Sequence, residues 1–281
     1  MSATRNISSH KEGNPNHLLF TIMHLFLNMY NNRVFLQHGI LKDDAPMFHY
    51  KRTKYRLFIC GAKPEYDYIS KHYGYPRARV VYTGLARFDK LTGDRVNDSI
   101  IAFIPTWRRW LNDKNILNSD YRKNILLFLN NKSVEKYLID SNKWIVFYPH
   151  INAQKYFERN DIKNKRVILC KKRDKELSEL LCEASLLITD YSSVFFDFAY
   201  LKKIVIYYQP ASVSTADGFS KGYFSYEKDA FGPVVTNLDD LIETIKKASS
   251  MRFDVEKHKR FFAYRDKNNC SRIYTEILKN E

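Results

Sequence analysis

Apolar positions along this chain come in short runs and in longer, helically spaced stretches, and the two alternate. The clearest succession lies at residues 186–208, LLITDYSSVFFDFAYLKKIVIYY. Residues 186–188 have the length of a buried strand. Thr189, Asp190, Tyr191, Ser192 and Ser193 follow as a polar turn rich in helix N-cap residue types. Residues 194–201 are apolar enough for a short helix buried on most sides. Lys202 and Lys203 end that helix, and residues 204–208 read as a second strand. Strand, helix, strand at this spacing predicts a βαβ unit with parallel strands.

The rest of the chain carries the same alternation. Residues 1–16 are polar and aperiodic and predict a flexible N-terminus. The apolar stretch 17–30 is shorter than a bilayer span and interrupted by His24 and Asn28, which predicts a core helix or an interfacial one, the core being favoured. Strands are expected at 33–37, 55–60 and 80–83, with a helix at 65–73 after Pro64 and a polar loop over 41–54. The turn-rich segment 92–99 reads as a linker, so the chain divides into a first domain over 17–95 and a second over 96–281. The second is expected to hold strands at 100–105, 144–148 and 167–170. Helices are expected at 120–138, 176–184 and 238–249, the last opened by Asn237, with an ordered loop over 218–229. A final helical segment, rich in aromatics, begins near Val255. Strands alternating with helices in this way define an α/β protein with doubly wound sheets.

Composition removes several function classes. GxGxxG and GxxxxGK[ST] fingerprints are absent, so nicotinamide and P-loop nucleotide readings lose their sequence support. The four cysteines stand far apart without a CxxC pair, which argues for reduced thiols rather than a zinc site or disulfide framework. The formal net charge of +15 suits polyanionic partners or an anionic membrane surface, and equally a soluble basic surface. No nucleic-acid-binding motif accompanies it, and no nucleic-acid partner is expected.

Candidate chemistry clusters where strands end, because ligands of open α/β sheets bind outside the carboxyl ends of the strands. His38 and Gly39 follow the strand at 33–37, and Arg108 follows that at 100–105. His150 follows that at 144–148, and Thr189 to Ser193 follow that at 186–188. Arg108 at such a place can fork onto two phosphate oxygens or can be a surface arginine. The hydroxyls of Ser192 and Ser193 can bind an anion at a helix start, or can simply cap the helix.

Six blocks decide how these are read: FLQHGI (35–40), TGLARFDKL (83–91), IPTWR (104–108), YPH (148–150), TDYSSVFFDFAYLKK (189–203) and KGYFSYEKDAFGPVV (221–235). In this order they resemble the CDP-glycerol glycerophosphotransferase family, the teichoic-acid polymerases and primases. FFAYRDKNNCSRIY (261–274) is similar to that family's C-terminal end. The resemblance implies a GT-B-like fold of two Rossmann-like domains, with the donor nucleotide in the cleft between them. Only 37 residues precede His38, so the first domain is expected to be small or truncated.

The resemblance also implies a reaction. Glycerol phosphate or another polyol phosphate passes from a CDP-linked donor to a hydroxyl of a polyol-phosphate or glycolipid acceptor, and CMP leaves. This serves teichoic-acid-like or capsular polymer synthesis, in the cytoplasm and peripherally on the inner face of the cell membrane. His38 is implied as the base, with His150 as its catalytic companion at the diphosphate. Arg108, Thr189, Asp190, Ser192 and Ser193 are implied to hold the donor phosphates. No metal and no cofactor is implied. A nucleotide-sugar glycosyltransferase of the same fold and a non-catalytic polyanion-binding protein are the alternatives.

Overall fold

The computed structural model describes residues 33–210 and 221–279. The expected flexible segment 1–16, the expected helix over 17–30 and the start of the expected loop at 218–220 lie outside the described residues. The chain forms two compact units. The first takes the described residues of Met1–Asp89, Phe219–Tyr223 and Arg260–Glu281; the second takes those of Lys90–Gly218 and Phe224–Lys259.

In the first unit, β1 (Val34–Phe35), β2 (Leu57–Cys60) and β3 (Val80–Tyr82) form a parallel sheet in that order. Phe58 stands at its centre, in register with Phe35 on one side and Val80 on the other. β1 is shorter than the strand expected over 33–37. Gln37 turns into the left-handed region (φ 57°), and its buried side chain donates to the Ile59 carbonyl, so the backbone leaves the sheet before His38. A one-turn helix, α1 (Tyr50–Thr53), occupies part of the expected loop. α2 (Lys63–His72) follows β2, and Glu65 in its first turn reaches back to the Ala62 N–H at 3.4 Å. Phe35, Phe58, Ile69, Tyr73, Tyr75 and Val80 pack into the core.

The C-terminal residues of this unit are held by a carboxylate. Asp89 accepts from the backbone N–H groups of Asn269 (2.9 Å) and Cys270 (2.8 Å), at the start of the last helix, Asn269–Lys279. Unpaired N–H groups and the positive end of the helix dipole favour a negative charge there.

The second unit is a six-stranded sheet, parallel throughout. β4 (Asn97–Ile104), β5 (Trp144–Phe147), β6 (Val167–Leu169), β7 (Ala184–Thr189), β8 (Ile204–Tyr208) and β9 (Val234–Val235) are ordered β6-β5-β4-β7-β8-β9. The chain builds outward from β4 in one direction, then restarts beside β4 and builds in the other. The order therefore reverses between β4 and β7, which makes that junction the topological switch point. The expected parallel pairing of 186–188 with 204–208 is present, with Leu186 opposite Ile204 and Ile188 opposite Ile206. β4 begins within the expected linker, and β9 lies where no element was expected.

Two expected elements are corrected. The helix over 120–138 is two helices, α3 (Asp120–Leu129) and α4 (Lys132–Asp140). Asn131 is extended and caps α4, its side chain accepting from Ser133 (2.8 Å) and Val134 (3.2 Å). The break rotates the buried face: Tyr121, Ile125, Phe128 and Leu129 are inside in α3, and Val134 and Leu138, which one continuous helix would turn away from them, are inside in α4. Within the expected loop over 218–229, Tyr226–Asp229 is a short helix.

The remaining helices follow their patterns. α5 (Leu177–Glu183) leads into β7. α6 (Val194–Tyr200) joins β7 to β8 with all seven residues buried. Phe195 packs edge-on to Tyr207 at 5.1 Å and near Phe224 at 5.1 Å. Each fully buried phenyl ring stabilises the unit by roughly 1.5–3 kcal/mol. The helix Leu238–Lys247 is capped by Asn237, which accepts from the Asp240 N–H at 2.9 Å. It places Leu241, Ile242 and Ile245 in the core.

Candidate active site

The loops that follow β4 and β7 meet at the switch point of the second unit, and one carboxylate joins them. Asp190 directly follows β7. Its Oδ1 accepts from the Thr106 N–H (2.8 Å), from the Thr106 hydroxyl and from the Tyr191 N–H (2.7 Å). Its Oδ2 accepts from Arg108 Nη2 at 2.7 Å. Thr106 and Arg108 lie in the IPTWR block after β4. Arg108 is not a surface arginine: it is 1% exposed and Asp190 6% exposed, a buried ion pair. The guanidinium also faces the Tyr191 ring at 5.1 Å. The Asp190 carbonyl accepts from Gln209 Nε2 (3.2 Å) at the end of β8 and from the Tyr226 hydroxyl (3.4 Å).

Thr189 is fully buried. Its hydroxyl donates to the Ile104 carbonyl at 2.6 Å and ties the carboxyl ends of β7 and β4 together. Arg108, Thr189 and Asp190 thus fix the turn that follows. Ser192 and Ser193, carried by that turn, are partly exposed. Ser193 occupies the N-cap position of α6 and makes no side-chain capping hydrogen bond there. Ser192 Oγ accepts a long bond, 3.4 Å, from the Val194 N–H. Capping therefore makes little use of these two hydroxyls.

His150 stands at the carboxyl end of β5, the strand beside β4, and is exposed. Its Nδ1 accepts from the Asn152 N–H at 3.2 Å, starting the 3-10 turn Ile151–Tyr156. An accepting Nδ1 leaves the proton of the neutral ring on Nε2, a donor for an anionic oxygen. Partial desolvation holds its pKa below the ordinary histidine value. Around the adjoining loops, Trp107, Leu111, Lys114, Ile151, Lys155 and Tyr156 line a cavity of about 930 Å³.

His38 belongs to the first unit. It follows the left-handed Gln37, is exposed, and its carbonyl accepts from the Arg87 guanidinium. Partial desolvation lowers its pKa, and the positive charge of Arg87 adds to the effect. A neutral imidazole at pH 7 is the form able to take up a proton.

Each unit also has residues around its candidate groups that reading the sequence did not single out. Thr106, Gln209 and Tyr226 bind Asp190, and Gln37 and Glu65 hold the turn of His38. Thr106 lies inside a recognised block, two residues before Arg108. Nothing in the local pattern around Gln209 or Glu65 marks them.

Two α/β units, each with a parallel sheet and the second with its polar groups gathered at a switch point, define a Rossmann-type protein of GT-B-like class. The family profile described as CDP-Glycerol:Poly(glycerophosphate) glycerophosphotransferase matches residues 46–279, and the chain belongs to that family. It is 30% identical to the minor teichoic acid biosynthesis protein GgaB of Bacillus subtilis (strain 168), in a match covering 99% of this chain and 32% of GgaB. It is 27% identical to the teichoic acid poly(glycerol phosphate) polymerase of Bacillus spizizenii (strain ATCC 23059 / NRRL B-14472 / W23). That match covers 82% of this chain and 54% of the polymerase. The solved structure of the wall teichoic acid polymerase TagF shares the fold, with a TM-score of 0.61 at 20% identity. The match covers 83% of this chain and 60% of TagF. The chain thus spans about a third of GgaB and a little over half of the two polymerases.

Proposed function

We propose that this protein transfers glycerol phosphate, or another polyol phosphate, from a CDP-linked donor to a hydroxyl acceptor in teichoic-acid-like polymer synthesis. The observation that carries the reading is the turn at Asp190–Ser193. It stands at a switch point, is tied down by Arg108 and Thr106, and carries two hydroxyls that capping scarcely uses. Family membership and the teichoic-acid names of the relatives support the same chemistry. A variant of TagF has been solved after soaking with CDPG.

In this reading the acceptor oxygen attacks the β-phosphorus of the donor. A new P–O bond forms, the bond from that phosphorus to the bridging oxygen breaks, and CMP leaves with the bonding pair. His38 takes the hydroxyl proton. His150, through Nε2–H, and the hydroxyls of Ser192 and Ser193 stabilise the phosphate oxygens. Arg108 and Asp190 act through the shape of the turn, because their charges are directed at each other, while Thr189 locks the strand ends beneath it.

Among the described residues no helix is long and apolar enough to cross a membrane. The charge of +15 supports reversible attachment to an anionic inner membrane face, each nearby cation contributing about 1 kcal/mol. Liposome flotation tests this: binding should need anionic lipid and be lost at high salt.

The deciding experiment incubates the chain with CDP-glycerol, CDP-ribitol and UDP-sugars, with an oligomeric polyol-phosphate acceptor. Expected is CMP release from a CDP-polyol, no UDP release, and a raised melting temperature with the same donor. A ligand at 100 times its Kd stabilises the folded state by about 2.7 kcal/mol. UDP release instead would make the chain a glycosyltransferase, and no turnover with salt-sensitive polyanion binding would make it a binding protein.

A further inference from the structure

The turn that carries His38 is held from beneath by a carboxylate with no part in the mechanism above. Glu65 is 0% exposed. Its Oε1 accepts from the Leu41 N–H at 2.6 Å, and its Oε2 from the Gly61 N–H at 2.7 Å. It also hydrogen-bonds the side chain of Gln37. Gln37 and Leu41 lie on either side of His38, Gly39 and Ile40, so one carboxylate grips both ends of the turn. Gln37 in turn donates to the Ile59 carbonyl of β2. Ile40 packs onto Gly61 so closely that a Cβ there would meet Ile40 Cγ1 at 2.8 Å and Leu85 Cγ at 2.6 Å.

A buried carboxylate is costly unless hydrogen bonds satisfy it, and here they run to the two backbone stretches that must be kept together. The turn is also met by the Arg87 guanidinium, which donates to the His38 carbonyl, and by the packing of Ile40 on Gly61. It follows a two-residue strand and passes through a left-handed glutamine, a conformation disfavoured for a residue with a side chain. We propose that Glu65 is a positioning residue for the reaction: by clasping Gln37 and Leu41 it sets the place and orientation of the His38 imidazole. This rests on His38 being the base of the proposed transfer.

The test is Glu65→Gln. Glutamine keeps the shape but turns one accepting oxygen into a donor facing a backbone N–H, so one end of the clasp opens. The 281-residue chain and the variant are compared in CMP release from CDP-glycerol and in the ¹⁵N–¹H spectra of their histidine rings. Expected is a fall in kcat of about 10- to 100-fold, the scale of an ångström of misplacement, with donor KM within about twofold. The His38 ring signal should shift or broaden, while that of His258, buried in the other unit, stays. A folded variant with parent kcat, or with an unmoved His38 signal, overturns the proposal. Should Glu65→Gln not fold, Gln37→Ala opens the clasp from the other side and must move the same two readouts. If the parent releases no CMP, the function proposed above fails, yet the His38 signal still decides whether Glu65 sets that ring.

Discussion

Arg108 Nη2 lies 2.7 Å from Asp190 Oδ2, and the two residues, 82 positions apart in the chain, bury their charges against each other at the reversal of the second sheet. Removing one partner leaves the other charged and desolvated. Arg108→Ala or Asp190→Ala should each cost about 3–5 kcal/mol. The double change Arg108→Met with Asp190→Leu should cost less than either, since no charge is left behind. Urea denaturation of the four proteins measures this. A single variant losing under about 1 kcal/mol would mean that the pair does not hold the turn together.

Ser192→Ala combined with Ser193→Ala should weaken binding of the CDP-linked donor at least tenfold while sparing the fold. Losing a working cap costs about 0.5–2 kcal/mol, and the long Ser192 bond and missing Ser193 bond put this pair at the low end. Calorimetric titration with CDP-glycerol checks the first half and thermal melting the second. Unchanged donor affinity would remove the anion-site reading.

His38→Ala should lower turnover by about 100- to 10,000-fold and leave donor affinity nearly unchanged. His150→Ala should lower both, because its Nε2–H is assigned to the diphosphate. The His38 pKa is shifted downward, so the parent rate should fall only as pH drops below the usual histidine value of 6.5, when the base becomes protonated. His38→Ala should lack that limb. A folded His38→Ala protein with near-parent turnover would require another proton acceptor.

Glu65 should leave a mark on stability. Burial raises its carboxyl from 4.5 to about 7, outweighing the N–H groups that favour the charged form. Between those pH values the folded chain keeps a proton that the unfolded chain has released. This contribution therefore favours folding most below pH 4.5 and declines by about 3 kcal/mol as pH rises to 7. Its ionisable neighbours Cys60 and Tyr73 have upward-shifted pKa values and stay neutral across that window. Denaturation midpoints at pH 5 and pH 7.5 should differ less in Glu65→Gln than in the parent. An identical pH dependence would count against a neutral carboxyl at low pH.

Much of this protein was decided locally and is therefore legible along the chain. The strand, turn, helix and strand at 184–208 follow from an apolar run, a cluster of capping types and a second run. Parallel pairing follows because a helix separates the strands. The blocks from FLQHGI to KGYFSYEKDAFGPVV carried the family, and with it the class of fold. Tertiary structure decided what those residues touch. Arg108 reads the same in sequence whether it faces solvent or a carboxylate 82 positions away, and only the β4–β7 junction buries it. Asn131 looks like one more polar position in a helix until the core turns the chain there and makes it a cap. Glu65 looks like any first-turn acid, because a charge near a helix N-terminus is favourable in solvent as well. Its place beneath His38 depends on two strands pairing, and that contact between distant stretches leaves no local pattern.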